Sequence, residues 1–111
     1  MKKIEALIDP CEMERVKSAL IKIGIRRMMI SQIDEVESQN YHKEVYRGKE
    51  YMIDVVKEFK IELMVTTDEM LSQVIEAIER NTKTENIGSR QIFVSPVEQV
   101  VQLRVHPTNS A

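Results

Sequence analysis

The chain has a single cysteine, Cys11, in 111 residues. That excludes an intrachain disulfide and any metal site built from several cysteines. Its two histidines, His42 and His106, stand far apart with no cysteine near either, so no metal site is expected. No apolar run approaches the roughly 18 residues of a membrane span, so no direct membrane insertion is expected. Nothing resembles a signal peptide, because Met1-Lys2-Lys3 leads straight into a strand-like segment. The expected compartment is the cytoplasm. An excess of basic charge is also missing: the net charge is -2, with both signs mixed along the chain. This argues against nucleic-acid binding through bulk electrostatics. No nucleophile–base pair and no acid pair in an evident cleft stand out, so no catalytic residue is assigned and the chain is read as a non-enzyme.

What remains is a hydrophobic fraction of 42% and a charged fraction of 31%, the balance of one globular domain over residues 1–111. A chain of this length buries only about two-thirds of its unfolded surface, so assembly with further copies would help it.

Residues 2–8 alternate, with Ile4, Ala6 and Ile8 on one face, and predict a strand. Asp9-Pro10-Cys11-Glu12 reads as a helix start. Asp9 caps free amides, Pro10 takes the first helical position and Glu12 stands three after the cap. Met13, Val16, Leu20 and Ile23 follow at helical spacing, and Gly24 is the stop. Residues 27–34 predict a second strand. Residues 36–56 lack a sustained apolar period and hold all three tyrosines, Tyr41, Tyr46 and Tyr51, so an exposed functional loop is expected there. Residues 57–66 alternate again, with Phe59, Ile61, Leu63 and Val65 together. Thr66-Thr67-Asp68-Glu69 opens a second helix with Met70, Leu71, Val74, Ile75 and Ile78 as its stripe. Residues 82–90 form a polar loop and 91–95 a fourth strand. Residues 99–105 suggest a short edge strand, and 106–111 a loose tail.

The order strand-helix-strand, loop, strand-helix-strand is the split βαβ plan of an α+β, ferredoxin-like domain. The helices are expected as the crossovers that parallel pairing needs, and to cover one sheet face. The other face carries Leu7, Met29, Met64 and Phe93, and a partner subunit is its simplest cover. An RNA-recognition domain shares this element order. It would need exposed aromatics on the third strand, where the only one, Phe59, falls in the core-side set.

The run from Met1 to Pro10, the segment Tyr46-Arg47-Gly48-Lys49-Glu50-Tyr51, the stretch Lys60-Ile61-Glu62, and Ile87-Gly88 followed by Ile92-Phe93-Val94 resemble nitrogen-regulatory PII signal-transduction proteins. The resemblance covers nearly the whole chain, with about one inserted residue near the second helix. It implies a homotrimer with a central barrel of sheets and a projecting "T-loop" at residues 36–56. Effectors would bind in the clefts between subunits. Family members bind ATP or ADP there, many with 2-oxoglutarate and magnesium, and they regulate transporters, enzymes or transcription regulators. On this chain the resemblance implies effector contacts at Gln39, Glu62, Gly88, Ser89, Arg90, Gln91 and Arg104. It implies target contacts at Tyr41, Tyr46, Arg47 and Tyr51, the last also the tyrosine that some members carry for modification.

The chain departs from the family at its ligand loops. The nucleotide loop, roughly T-G-K-I-G-D-G-K in the family, is Thr84-Glu85-Asn86-Ile87-Gly88-Ser89-Arg90-Gln91. The late R-x-R is Gln102-Leu103-Arg104, and the lysine expected to hold the 2-oxoglutarate carboxylate is Glu58. Each lost charge-assisted bond is worth about 10- to 100-fold in affinity. ATP or ADP is thus implied by resemblance, at a degraded site. The alternative is an interaction or scaffold protein of the same fold that no longer senses ATP and 2-oxoglutarate.

For single residues the alternatives stay open. Gly88 presents an amide to an anion or is a turn glycine. Arg104 holds a phosphate or is a solvated charge. Glu58 and Glu62 are an acid pair or the polar side of a strand. Cys11 has a pKa lowered by a helix start, or is a small buried hydrophobe.

Overall fold

Strand β1 (Lys2–Ile8) buries every second residue, and Ile4, Ala6 and Ile8 are almost wholly inaccessible. The structure, a computed structural model, describes residues 1–38, 53–83 and 91–104. After β1, Asp9 Oδ1 accepts the Cys11 N–H at 3.0 Å, and Pro10–Glu12 form a 3-10 turn. Helix α1 (Met13–Lys22) therefore begins three residues later than the sequence suggests. It buries Met13, Val16 and Leu20. It closes on Gly24, whose φ of 102° lies in the left-handed region. The Gly24 N–H donates to Ile21 O and the Ile25 N–H to Leu20 O, both at 3.0 Å. This is a Schellman closure, with Ile25 buried after it.

Strands β2 (Met29–Ser38) and β3 (Ile53–Val65) pair from Met29↔Glu62 out to Ser38↔Ile53. Both are longer than expected, and residues 36–38 and 53–56 belong to strands rather than to a loop. The part of β3 beyond Phe59 pairs with β2 alone, since β1 reaches only from Lys2↔Val65 to Ile8↔Phe59. Helix α2 (Asp68–Arg80) starts where Thr67 Oγ1 accepts the Met70 N–H at 3.0 Å, and it buries Val74, Ala77 and Ile78. Strand β4 (Ile92–Pro96) pairs with β1. No strand is present in residues 97–104, where an edge strand was expected.

The sheet order is β2-β3-β1-β4, and every neighbouring pair is antiparallel. Each helix does cross between strands that run the same way, β1 to β2 and β3 to β4. A strand of opposite direction lies between the two in each case, so no parallel pair forms. One core holds the inner residues of β1 and β3 together with those of α1 and α2. The opposite sheet face is open: Met29, Met64 and Phe93 are 65%, 46% and 49% exposed.

Candidate functional site

On that open face the register sets Glu5 of β1 directly opposite Glu62 of β3. Facing carboxylates repel, and two lysines offset this. Lys3 Nζ lies 3.6 Å from Glu5 Oε2 and 3.4 Å from Glu62 Oε2. Lys60 Nζ lies 3.7 Å and 3.9 Å from the same two oxygens. Lys3 is held above the ordinary lysine range, chiefly by its hydrogen bond to Glu62 and then by the charge of Glu5. Glu62 is held below the ordinary carboxylate range. Hydrogen bonding with Glu5 is the largest cause, with Lys3 and Lys60 adding to it against the cost of burial. A concavity of about 430 Å³ adjoins this network, lined by Lys3, Arg27, Met28, Met29, Glu62, Leu63 and Met64. The face thus combines apolar side chains with a balanced four-charge centre, a pattern suited to a protein surface.

A second cavity, of about 370 Å³, lies at the base of the β2–β3 ribbon, against Pro10, Gln32, Ile33, Asp34, Lys57, Glu58 and Phe59. Asp34 and Lys57 face each other across the ribbon at 3.5 Å. Glu58 is 8% exposed, so it is not part of a solvated strand side as its alternation suggests.

Among the residues proposed to meet an effector, Glu62, Gln91 and Arg104 are described. Glu62 is committed to the two lysines, while Gln91 and Arg104 are exposed. Gln39, Gly88, Ser89 and Arg90 lie outside the described residues, as do Tyr41, Tyr46, Arg47 and Tyr51 of the expected target loop. Cys11 differs from both readings of it. It is exposed, and its thiol is pushed up, first by the hydrogen bond with Asp9 and then by a partial loss of surrounding water. Glu12, read as a capping residue, is instead buried, and its Oε2 accepts the Lys83 N–H at 2.8 Å. No signal in the local sequence could have shown a bond across 71 positions. Among the described residues no group of three potential ligands is placed to hold a metal. No helix among them is long and apolar enough to cross a membrane.

Four antiparallel strands in this order with two helices on one face define a ferredoxin-like α+β domain with one sheet face uncovered. Two solved structures share it: GlnK of B. subtilis, at a TM-score of 0.72, and the B. subtilis GlnK–ATP complex, at 0.73. Each is 32% identical and covers 87% of this chain and 84% of that one. The family model for nitrogen regulatory protein P-II matches residues 1–107. The Rhodobacter capsulatus nitrogen regulatory protein P-II is 43% identical over 108 residues, covering 97% of this chain and 96% of that protein. The Porphyra purpurea protein of the same name is 41% identical over 111 residues, covering 100% and 98%. The chain belongs to the nitrogen regulatory protein P-II family, whose members are signal-transduction regulators rather than enzymes.

Proposed function

We propose that this chain is a cytoplasmic PII regulator without catalysis of its own. It assembles as a homotrimer, binds a small effector between subunits and acts on a target protein through the segment joining β2 to β3. The observation that carries the reading is the open sheet face. Met29, Met64 and Phe93 surround the Lys3–Glu5–Lys60–Glu62 centre in a chain that matches the family over residues 1–107. A second and third copy would cover it. Target contacts are assigned to Tyr41, Tyr46, Arg47 and Tyr51, since tyrosine and arginine are enriched at interface hot spots. The target is a transporter, an enzyme or a regulator. Tyr51 is the candidate for modification.

The effector site is assigned to Gln39, Glu62, Gly88, Ser89, Arg90, Gln91 and Arg104. One relative was solved with ATP, which supports a nucleotide as the ligand class. The charges favour a less charged nucleotide or a small anion over ATP with 2-oxoglutarate. Arg90 and Arg104 remain as cations, whereas Glu58 and Glu85 add negative charge. Repulsion of a polyanion in a partly desolvated cleft is weakly screened.

Isothermal titration with AMP, ADP and ATP, each with and without 2-oxoglutarate, tests this. Submicromolar ATP binding strengthened by 2-oxoglutarate overturns the charge argument. For a nucleotide that binds, Arg104→Ala should weaken affinity by about 10-fold or more, the worth of one charge-assisted bond. No change on that substitution removes Arg104 from the site.

A further inference from the structure

Among the described residues, the core takes nothing from β2 and nothing from β3 ahead of Phe59. Strand β1 ends at Ile8, opposite Phe59, and the chain turns away there through Asp9 and Pro10. From Phe59 outward, neither helix packs its core residues on the β2–β3 ribbon.

Three cross-strand pairs follow one another on the helix side of that ribbon. Ile8 is buried in the core, so its partner Phe59 faces the helices, and with it every second residue of β3, Lys57 and Val55. The register sets Gln32 opposite Phe59, Asp34 opposite Lys57 and Val36 opposite Val55. The first two pairs, walled by Pro10 of the turn, line the cavity of about 370 Å³. The third pair is exposed on both strands and carries the apolar surface past the cavity. Read outward, the strip is apolar, then charged, then apolar.

Its charge is one-sided. Asp34 and Lys57 stand 3.5 Å apart and offset each other. Glu58 also lines the cavity, and Asp9 precedes Pro10 in the turn. Carboxylates therefore outnumber cations, with Asp9, Asp34 and Glu58 against Lys57. An exposed ion pair holds weakly in water, so Asp34 is available to a second cation.

Successive pairs on one side of a ribbon lie about 6.8 Å apart, the rise of two strand residues. An extended chain presents its own alternate side chains at that same interval. A segment with the pattern apolar-x-basic-x-apolar thus matches the strip position by position.

We propose that this strip is a docking surface for such an extended segment of a partner protein. Its first apolar side chain enters the cavity against Pro10 and Phe59, its basic side chain meets Asp34, and its second apolar side chain covers Val36 and Val55. The surface shares no residue with those assigned above to the effector or to target contact, and it stands independently of both.

The test titrates the isotope-labelled full chain with a capped peptide SLSRSLS and with its glutamate counterpart SLSESLS, following backbone amide shifts. SLSRSLS should move the amides of Gln32, Asp34, Val55 and Lys57. It should bind about 10-fold more tightly than SLSESLS, the worth of one charge-assisted bond. Asp34→Lys should abolish that preference, and Val55→Ser should weaken SLSRSLS. Both side chains are exposed, so the fold should survive each change. Glu76→Gln, at an exposed side chain of α2, should alter neither affinity. Failure of SLSRSLS to move these amides at millimolar concentration overturns the inference, and so does equal affinity for the two peptides. Movement of the same amides when the chain is concentrated without peptide would make a second copy the occupant, and overturns it as well.

Discussion

Phe93 offers the sharpest test of how the open sheet face is used. It stands on β4 directly opposite Glu5 and is 49% exposed in the single chain. A fully buried aromatic side chain covers about 150–250 Å², so about 100 Å² of Phe93 remains for a partner to cover. At about 25 cal/mol per Å² this is worth about 2.5 kcal/mol per subunit, close to a 60-fold change in association. Phe93→Ala should weaken assembly of the trimer by about that factor for each subunit. Phe93→Glu should weaken it further, because a third carboxylate would face Glu5, whose charge Lys3 and Lys60 already share with Glu62. The fold should survive both changes, since Phe93 is absent from the core cluster. Sedimentation equilibrium over a dilution series reads the assembly, and far-ultraviolet circular dichroism reads the fold. A Phe93→Glu protein that keeps the wild-type trimer mass at the lowest concentration would refute the reasoning. A wild-type monomer would refute the trimer itself.

Two further outcomes follow from the single chain. Gly24→Ala should destabilise the protein by about 1–2 kcal/mol in urea unfolding. The cost is purely conformational, because a Cβ there meets nothing within 4 Å while φ stays at 102°. The charge network should confer a stability plateau with an edge on each side. Glu62 has a depressed folded pKa, so its contribution is present above its ordinary value of 4.5 and is lost as pH falls through the lower folded value. Lys3 has a raised folded pKa, so its contribution is present below 10.5 and is lost as pH rises through the higher folded value. Urea midpoints measured across pH should show Glu62→Gln flattening the acid edge and Lys3→Met the alkaline edge.

The sequence was readable wherever one face of an element is buried and the other wet. Ile4, Ala6 and Ile8 alternate because helices cover one side of β1, and Thr67 marks its helix because a free N–H needs an oxygen. The signal fails beyond Phe59. There, past the buried Glu58, the described side chains of the β2–β3 ribbon are wet on both faces, and Val36, Val55 and Val56 are exposed at 55%, 56% and 43%. With no contrast between faces there is no period to read, so paired strand looked like loop. The reverse error occurs at residues 99–105. Val101 and Leu103 alternate with Gln102 and Arg104, but alternation predicts a strand only where a ladder is available, and residues 97–104 take no strand. Of the proposed effector residues, the local sequence shows only their types. Glu62 reads as one charge on a strand, and its commitment to Lys3 and Lys60 exists only once β1 and β3 are in register.

The two halves of the chain repeat one plan, strand-helix-strand, yet they close their helices by different means. After α1 the closure is intrinsic: Gly24 adopts the left-handed conformation and two backbone bonds finish the turn. After α2 no glycine stands at the corresponding place, and Asn81 ends the helix with φ at -110°. The exit there depends on side chains instead, those of Asn81 and Thr82 on their own helix and that of Glu12 from the opposite end of the sequence. A closure made by local backbone geometry is set by its own residues. A closure borrowed from a distant carboxylate shifts whenever the turn that carries it shifts, and that turn also walls the cavity beneath the β2–β3 ribbon. The second half of the repeat is thereby tied to the first at the point where the chain runs into segment 84–90. In the first half the corresponding exit closes locally, through backbone bonds from Gly24 to Ile21 and from Ile25 to Leu20.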